Sequence, residues 1–157
     1  MICIVDEHNK IINIINADSP TRETERICYP WSSLWEQYTD VEPLEYAKQR
    51  KTAEFKAERD SKEVEPITYN GHSYDYDSKA RERINAAIIA LDQQGADADI
   101  AWTTADDNDV TVTAADLRAV IAAVAVRSNA LHVKYRTLKQ QVQECKTMEE
   151  LGAIKWE

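Results

Sequence analysis

From Ile67 to Ser78, branched and aromatic residues alternate with polar ones around Asn70-Gly71. That pattern predicts a tight β-hairpin. The residues that follow, Ala80 to Leu91, put Ile84, Ala87, Ile88 and Leu91 on one face of a helix. Gly95 is well placed to cap that helix at its C-terminus. The design recurs more loosely downstream: Ile100, Trp102 and the run Val110-Thr-Val-Thr113 flank an acidic turn and lead into Ala114. Thr113 and Asp116 have capping-box spacing, so a second helix is predicted to start at Ala114.

This second helix carries the cleanest periodicity in the chain. Leu117, Ile121, Val124, Ser128, Leu131, Tyr135, Leu138 and Val142 follow each other at alternating spacings of four and three. Such a seam is coiled-coil-like, with one polar position at Ser128. It can pack on the preceding helix, or on a second copy of the chain as a homo-oligomer. The preceding helix is too short to cover it, so something else must cover Leu131 to Val142. Thr147 and Glu150 repeat the capping spacing and open a short terminal helix with Met148, Leu151, Ile154 and Trp156.

Ahead of these elements the pattern changes. Ile2–Val5 and Ile11–Ile15 are β-branched runs joined by Asp6-Glu-His-Asn-Lys10, which predicts another hairpin. Both strands are apolar on both faces, and an isolated hairpin is marginal in water, so this one must lean on something. Residues 17–42 are the least periodic, yet Tyr29, Trp31 and Trp35 fall within seven residues of one another. They form either a plug tying the hairpin to the body or an exposed patch that docks a partner. From Pro43 to Lys62 the chain is rich in Lys, Glu, Gln, Arg and Ala, a helix polar all round and so a spacer or one side of an intermolecular bundle. The predicted fold class is therefore α+β. Residues 1–42 form an N-terminal hairpin and aromatic module, 43–63 a polar linking helix, and 64–157 a C-terminal domain of short hairpins and a long helix.

Composition narrows the function classes. The net charge of −9 repels a phosphate backbone, and the densest basic run, Lys48-Gln-Arg-Lys51, is interleaved by Glu45, Glu54 and Glu58. Nucleic-acid binding is not expected. Cys3, Cys28 and Cys145 are odd in number and widely spaced, which signals neither a disulfide framework nor a zinc site. Ile2–Val5 is too short for a secretory core and Val120–Val126 too short to span a bilayer, so the chain reads as one kept in a reducing cytoplasm, without membrane contact.

Catalytic and cofactor chemistry find little footing. His72 lies beside Ser73 and near Asp75, but no glycines flank the serine as a nucleophile elbow requires. Asp106-Asp-Asn-Asp109 has the oxygen ligands calcium takes, but the sixth loop position is Thr111 and the twelfth Leu117, where an EF-hand needs Gly and an acid. Three isolated glycines cannot build a phosphate loop. The expectation is a protein that is not an enzyme and takes no metal or cofactor, with a small hydrolase using His72 or the Asp106 cluster as a remote alternative.

Particular segments carry a family likeness from about Leu44 to Glu157. They are the Arg59-Asp60 helix end, the Ile67–Gly71 hairpin with Tyr74 and Asp77, Ala101-Trp-Thr103, and the acidic turn with Asn108. Val112–Leu117, His132–Lys139 and the ending Thr147-Met-Glu-Glu-Leu151 with Trp156 complete the set. In this order and spacing they resemble a family of phage and prophage proteins with domain of unknown function 4376, commonly found among tail, tail-fibre and tail-fibre-assembly proteins. The leading β-segment is similar to that of small phage tail accessory proteins. The resemblance implies a tail-associated protein that binds tail-fibre or baseplate chains, as an assembly chaperone or a structural adaptor. It would work in the host cytoplasm during assembly or in the virion tail. A regulatory or host-inhibitory phage protein that masks a surface is the alternative. The resemblance supplies no catalytic residues. The expected docking residues are Tyr29, Trp31 and Trp35 with Ile12 and Ile14 of the hairpin, because so short a module carries more apolar area than it can bury alone.

Overall fold

A computed structural model describes all 157 residues. Seven short strands and four helices follow one another as β1 (Ile2–Val5), β2 (Ile11–Ile15), β3 (Glu25–Ile27), α1 (Leu44–Glu63), β4 (Ile67–Tyr69), β5 (His72–Tyr74), α2 (Ser78–Gln94), β6 (Asp99–Thr103), β7 (Asp109–Thr113), α3 (Ala114–Glu144) and α4 (Met148–Ala153). All sheet pairing is antiparallel. The α+β class is as the periodicity predicts. The chain clusters into two compact units: Met1–Lys51 with Cys145–Ala153, and Thr52–Glu144 with Ile154–Glu157.

In the first unit, β1 is the central strand of the order β2-β1-β3. Adjacent residues of a strand point to opposite faces. Ile2 and Cys3 are both fully buried, so β1 is covered on both sides as its apolar run predicts. Cys3, Val5 and Ile11 form one cluster, joined by Ile14, Cys28 and Tyr38. The third strand is absent from the sequence reading because Glu-Arg-Ile shows no alternation. What places it is Glu25, whose carboxylate is buried and accepts the Thr21 N–H at 2.7 Å, the Thr21 hydroxyl at 3.1 Å and the Arg22 N–H at 3.3 Å. These bonds hold the carboxyl below its ordinary range, chiefly through the Thr21 backbone N–H.

The second unit is built on α3. The β4–β5 hairpin turns at Asn70 (φ 49°) and Gly71 (φ 77°), two left-handed residues as a two-residue type I′ turn demands. Asp77 caps α2 by accepting the Ala80 N–H at 2.7 Å, so α2 begins at Ser78, ahead of its first apolar residue. At its other end Gly95 (φ 118°) donates its N–H to Leu91 O at 3.2 Å. Thr113 and Asp116 form a reciprocal box at the start of α3, with the Asp116 carboxylate accepting the Thr113 N–H at 3.0 Å and the Thr113 hydroxyl accepting the Asp116 N–H at 3.2 Å.

One core joins these elements: Tyr74, Ile84, Leu91, Trp102, Val112, Leu117 and Val120, with Ala87, Ile88 and Ile121 packed against it. The seam positions Leu117, Val124, Leu138 and Val142 are buried within the single chain. Along the middle of α3 the covering groups come from the polar helix α1. Arg59 lies over the Tyr135 ring at 4.8 Å, and Glu63 Oε1 accepts the Ser128 hydroxyl at 3.0 Å and pairs with His132 Nε2 at 2.7 Å. Arg127 donates to the Glu63 and Pro66 carbonyls at 3.0 and 3.1 Å. Phe55, also on α1, is buried and meets the Trp156 ring at 6.1 Å. A helix with few apolar residues packs here through long polar side chains, whose contribution periodicity does not register.

Candidate functional site

The docking residues expected from sequence all lie in the first unit, and the structure divides them. Tyr29 and Trp31 are half-buried and stacked, ring centroids 5.0 Å apart and planes 2° from parallel. Trp31 meets Tyr46 edge-on at 5.5 Å and donates its indole N–H to Thr39 O at 3.1 Å. Ile14 is half-buried against the Cys3 cluster. These three side chains spend most of their surface inside the unit.

Trp35 and Ile12 differ, with 64% and 40% of their surface exposed. Ile12 is the extra residue of a β-bulge: Ile4 pairs with Asn13 and Val5 with Ile11, leaving Ile12 unpaired between them. Trp35 has φ 71°, uncommon for a bulky residue. Backbone bonds hold it there, since its N–H donates to Ile11 O at 2.7 Å and Ile11 N–H donates to Glu36 O at 2.9 Å. The exposed indole therefore sits on the backbone immediately beside the Ile11–Ile12 peptide. Leu34, next to Trp35 in the chain, is 47% exposed. The motif behind this juxtaposition is a long-range pairing of 35–38 with 9–11, closed by a Lys10–Gln37 bridge and by Tyr38 N–H to Asn9 O at 2.9 Å. No local pattern in the sequence signals it.

Side chains blunt the open sheet edges nearby. The Ile14 N–H is taken by the neighbouring Asn13 side chain at 2.9 Å, and the Arg26 guanidinium donates to the carbonyls of Glu23 and Glu25. An edge so occupied is a poor template for an added strand. What this surface offers a ligand is apolar side-chain area rather than a backbone ladder. Ile27 and Val41, 55% and 71% exposed, are further apolar residues of the same unit that the sequence reading passed over.

Of the residues considered for catalysis, His72 and Ser73 lie in β5, and the Asp106 cluster shapes the β6–β7 turn. The buried Thr104 hydroxyl donates to Asp106 Oδ1 at 2.6 Å and accepts the Asn108 N–H at 3.2 Å, and the Asn108 amide donates to Asp106 Oδ2 at 2.8 Å. These donors, Thr104 first, lower the Asp106 pKa. Asp107 adopts φ 58° to close the loop. No group of three or more His, Cys, Asp or Glu side chains is placed to hold a metal ion. No helix is long and apolar enough to cross a membrane.

A small α+β protein of short antiparallel strand pairs and four helices, one of them long, is the class these elements define. The chain belongs to the family described as Domain of unknown function (DUF4376), whose model matches residues 46–155. No curated protein and no solved structure shows significant similarity to it.

Proposed function

We propose that this protein is a tail-associated protein of a phage or prophage that binds a tail-fibre or baseplate chain, as an assembly chaperone or a structural adaptor. The observation that carries a binding role is the exposed Trp35 held in a left-handed conformation beside the bulged Ile12. A bulky residue in that conformation persists only where surrounding bonds enforce it, and such outliers concentrate at functional positions. Tryptophan dominates interface hot spots, and here most of its surface faces solvent. The tail assignment rests on the resemblance of the chain from about Leu44 to Glu157 to the family with domain of unknown function 4376, commonly found among tail and tail-fibre-assembly proteins. The role is non-enzymatic, exercised in the host cytoplasm during assembly or in the finished tail.

The partner supplies an apolar segment that lies over Trp35 and Ile12 until, or after, the fibre assembles. A fibre or baseplate polypeptide from the same genome, co-expressed with this chain, should gain solubility and elute with it from a sizing column. A partner equally soluble alone, with no joint elution, contradicts the proposal.

A further inference from the structure

Cys3 and Cys28 come together across the β1–β3 pair. Cys3 is directly opposite Arg26, and cross-strand partners share a face of the sheet. Cys28 follows Arg26 by two residues, so its side chain returns to that face, and it packs against the cluster that contains Cys3. The Cys28 thiol is close enough to help raise the Cys3 pKa. Cys28 lies just past the end of β3, tied to β1 by its N–H to Met1 O at 3.2 Å. Cys3 is fully buried and Cys28 half-buried, so a reagent from solvent meets Cys28 first.

We propose that Cys3 and Cys28 form a redox-responsive pair that closes to a disulfide by exchange with a small-molecule disulfide such as glutathione disulfide. In the first step the Cys28 thiolate attacks one glutathione sulfur, forming a mixed disulfide and expelling one glutathione thiolate. In the second, Cys3 gives its proton to solvent and attacks the Cys28 sulfur. The bond from Cys28 to glutathione breaks and a second glutathione leaves. Two protein thiols are oxidised and one glutathione disulfide is reduced to two thiols.

The chemistry separates the two steps. Burial, and then the Cys28 thiol beside it, push the Cys3 pKa up to about 11, so its thiolate is scarce at neutral pH. Burial, the larger of these causes, still raises the Cys3 thiol once Cys28 carries glutathione, so closure speeds up as pH rises. A bridge needs the sulfurs at about 2.05 Å. Closure to that separation takes place next to the stacked Tyr29–Trp31 pair, which follows Cys28 directly in the chain. In a cytosol poised by reduced glutathione the pair stays open, whereas an oxidising exterior closes it.

The test uses the native full-length chain. After incubation with glutathione disulfide, acid quenching, unfolding, alkylation and tryptic digestion, mass spectrometry should find Met1–Lys10 joined to Ile27–Lys48, with Gln140–Lys146 alkylated. The same treatment of chain unfolded in denaturant should scatter links among all three cysteines. Cys28→Ser should abolish the link, and Trp31 should report closure through a change in fluorescence that Cys28→Ser does not show. Cys28 arrested as its glutathione adduct with Cys3 alkylated would overturn the proposal. So would native chain that links Cys145 as readily as Cys28.

Discussion

The Ser128 hydroxyl, the single polar side chain in the α3 seam, donates to Glu63 Oε1 at 3.0 Å. That oxygen also faces His132 Nε2 at 2.7 Å, so one carboxylate of α1 meets two successive turns of α3. The polar interruption of the seam is thus matched to a partner from a helix that periodicity alone reads as a spacer.

A double-mutant cycle measures that match. Ser128→Ala and Glu63→Ala should each destabilise the chain, and together by about 1.5 kcal/mol less than their sum, the usual worth of a hydrogen bond to a charged group. Chemical denaturation of the four proteins gives the coupling. Strictly additive effects would show that the two side chains do not interact in solution.

Two glycines should respond unequally to the same substitution. Neither has an atom within 4 Å of where a Cβ would stand, so only backbone strain is at issue. Gly71 is in the ordinary left-handed region, where Ala is tolerated at about 1 kcal/mol. Gly95, at φ 118° and ψ 170°, lies where side chains are nearly never found, and Gly95→Ala should cost about 2 kcal/mol. Melting temperatures in the reverse order would refute the cap geometry at the end of α2.

Acid should weaken the fold through Asp116 and Glu25. The Thr113 hydroxyl and then its N–H lower Asp116 from its ordinary 3.8, and Glu25 falls below 4.5 through the Thr21 N–H first. Folded values below the unfolded ones mean that these carboxylates stabilise above the ordinary values. The contribution is lost as pH falls through the lowered folded ones. Asp116→Asn should therefore lose about 1 kcal/mol at neutral pH, a typical capping contribution, and should flatten the decline of stability below pH 3.8. Glu25→Gln should flatten it below pH 4.5. An acid limb identical to that of the wild type in both variants would contradict this assignment.

The sequence was most legible where the information is local. The Asn70-Gly71 turn, the Thr113–Asp116 box, the Gly95 cap and the α3 seam each depend on residues within a turn or a heptad of one another, and each is found at the expected place. α2 begins at Ser78 because Asp77, a polar residue outside the apolar stripe, makes the cap. β3 and the pairing of 35–38 with 9–11 were not legible, because backbone bonds between distant segments and the burial of one carboxylate decide them. The same holds for the candidate site. The aromatic cluster could be read as a group, but which members turn inward depends on the Tyr29–Trp31–Tyr46 stack and on the Trp35 backbone, neither of which local spacing encodes.

The most direct test of a binding role is the affinity of a fibre or baseplate chain for wild type, Trp35→Ala and Trp31→Ala, each measured beside its melting temperature. Trp35 is mostly exposed, so its loss should leave melting within about 0.5 kcal/mol of wild type while weakening binding by at least tenfold, as an interface hot spot does. Trp31 holds a stack and a hydrogen bond inside the unit, so Trp31→Ala should lower melting first. Unchanged affinity in a Trp35→Ala protein of normal stability would contradict the account.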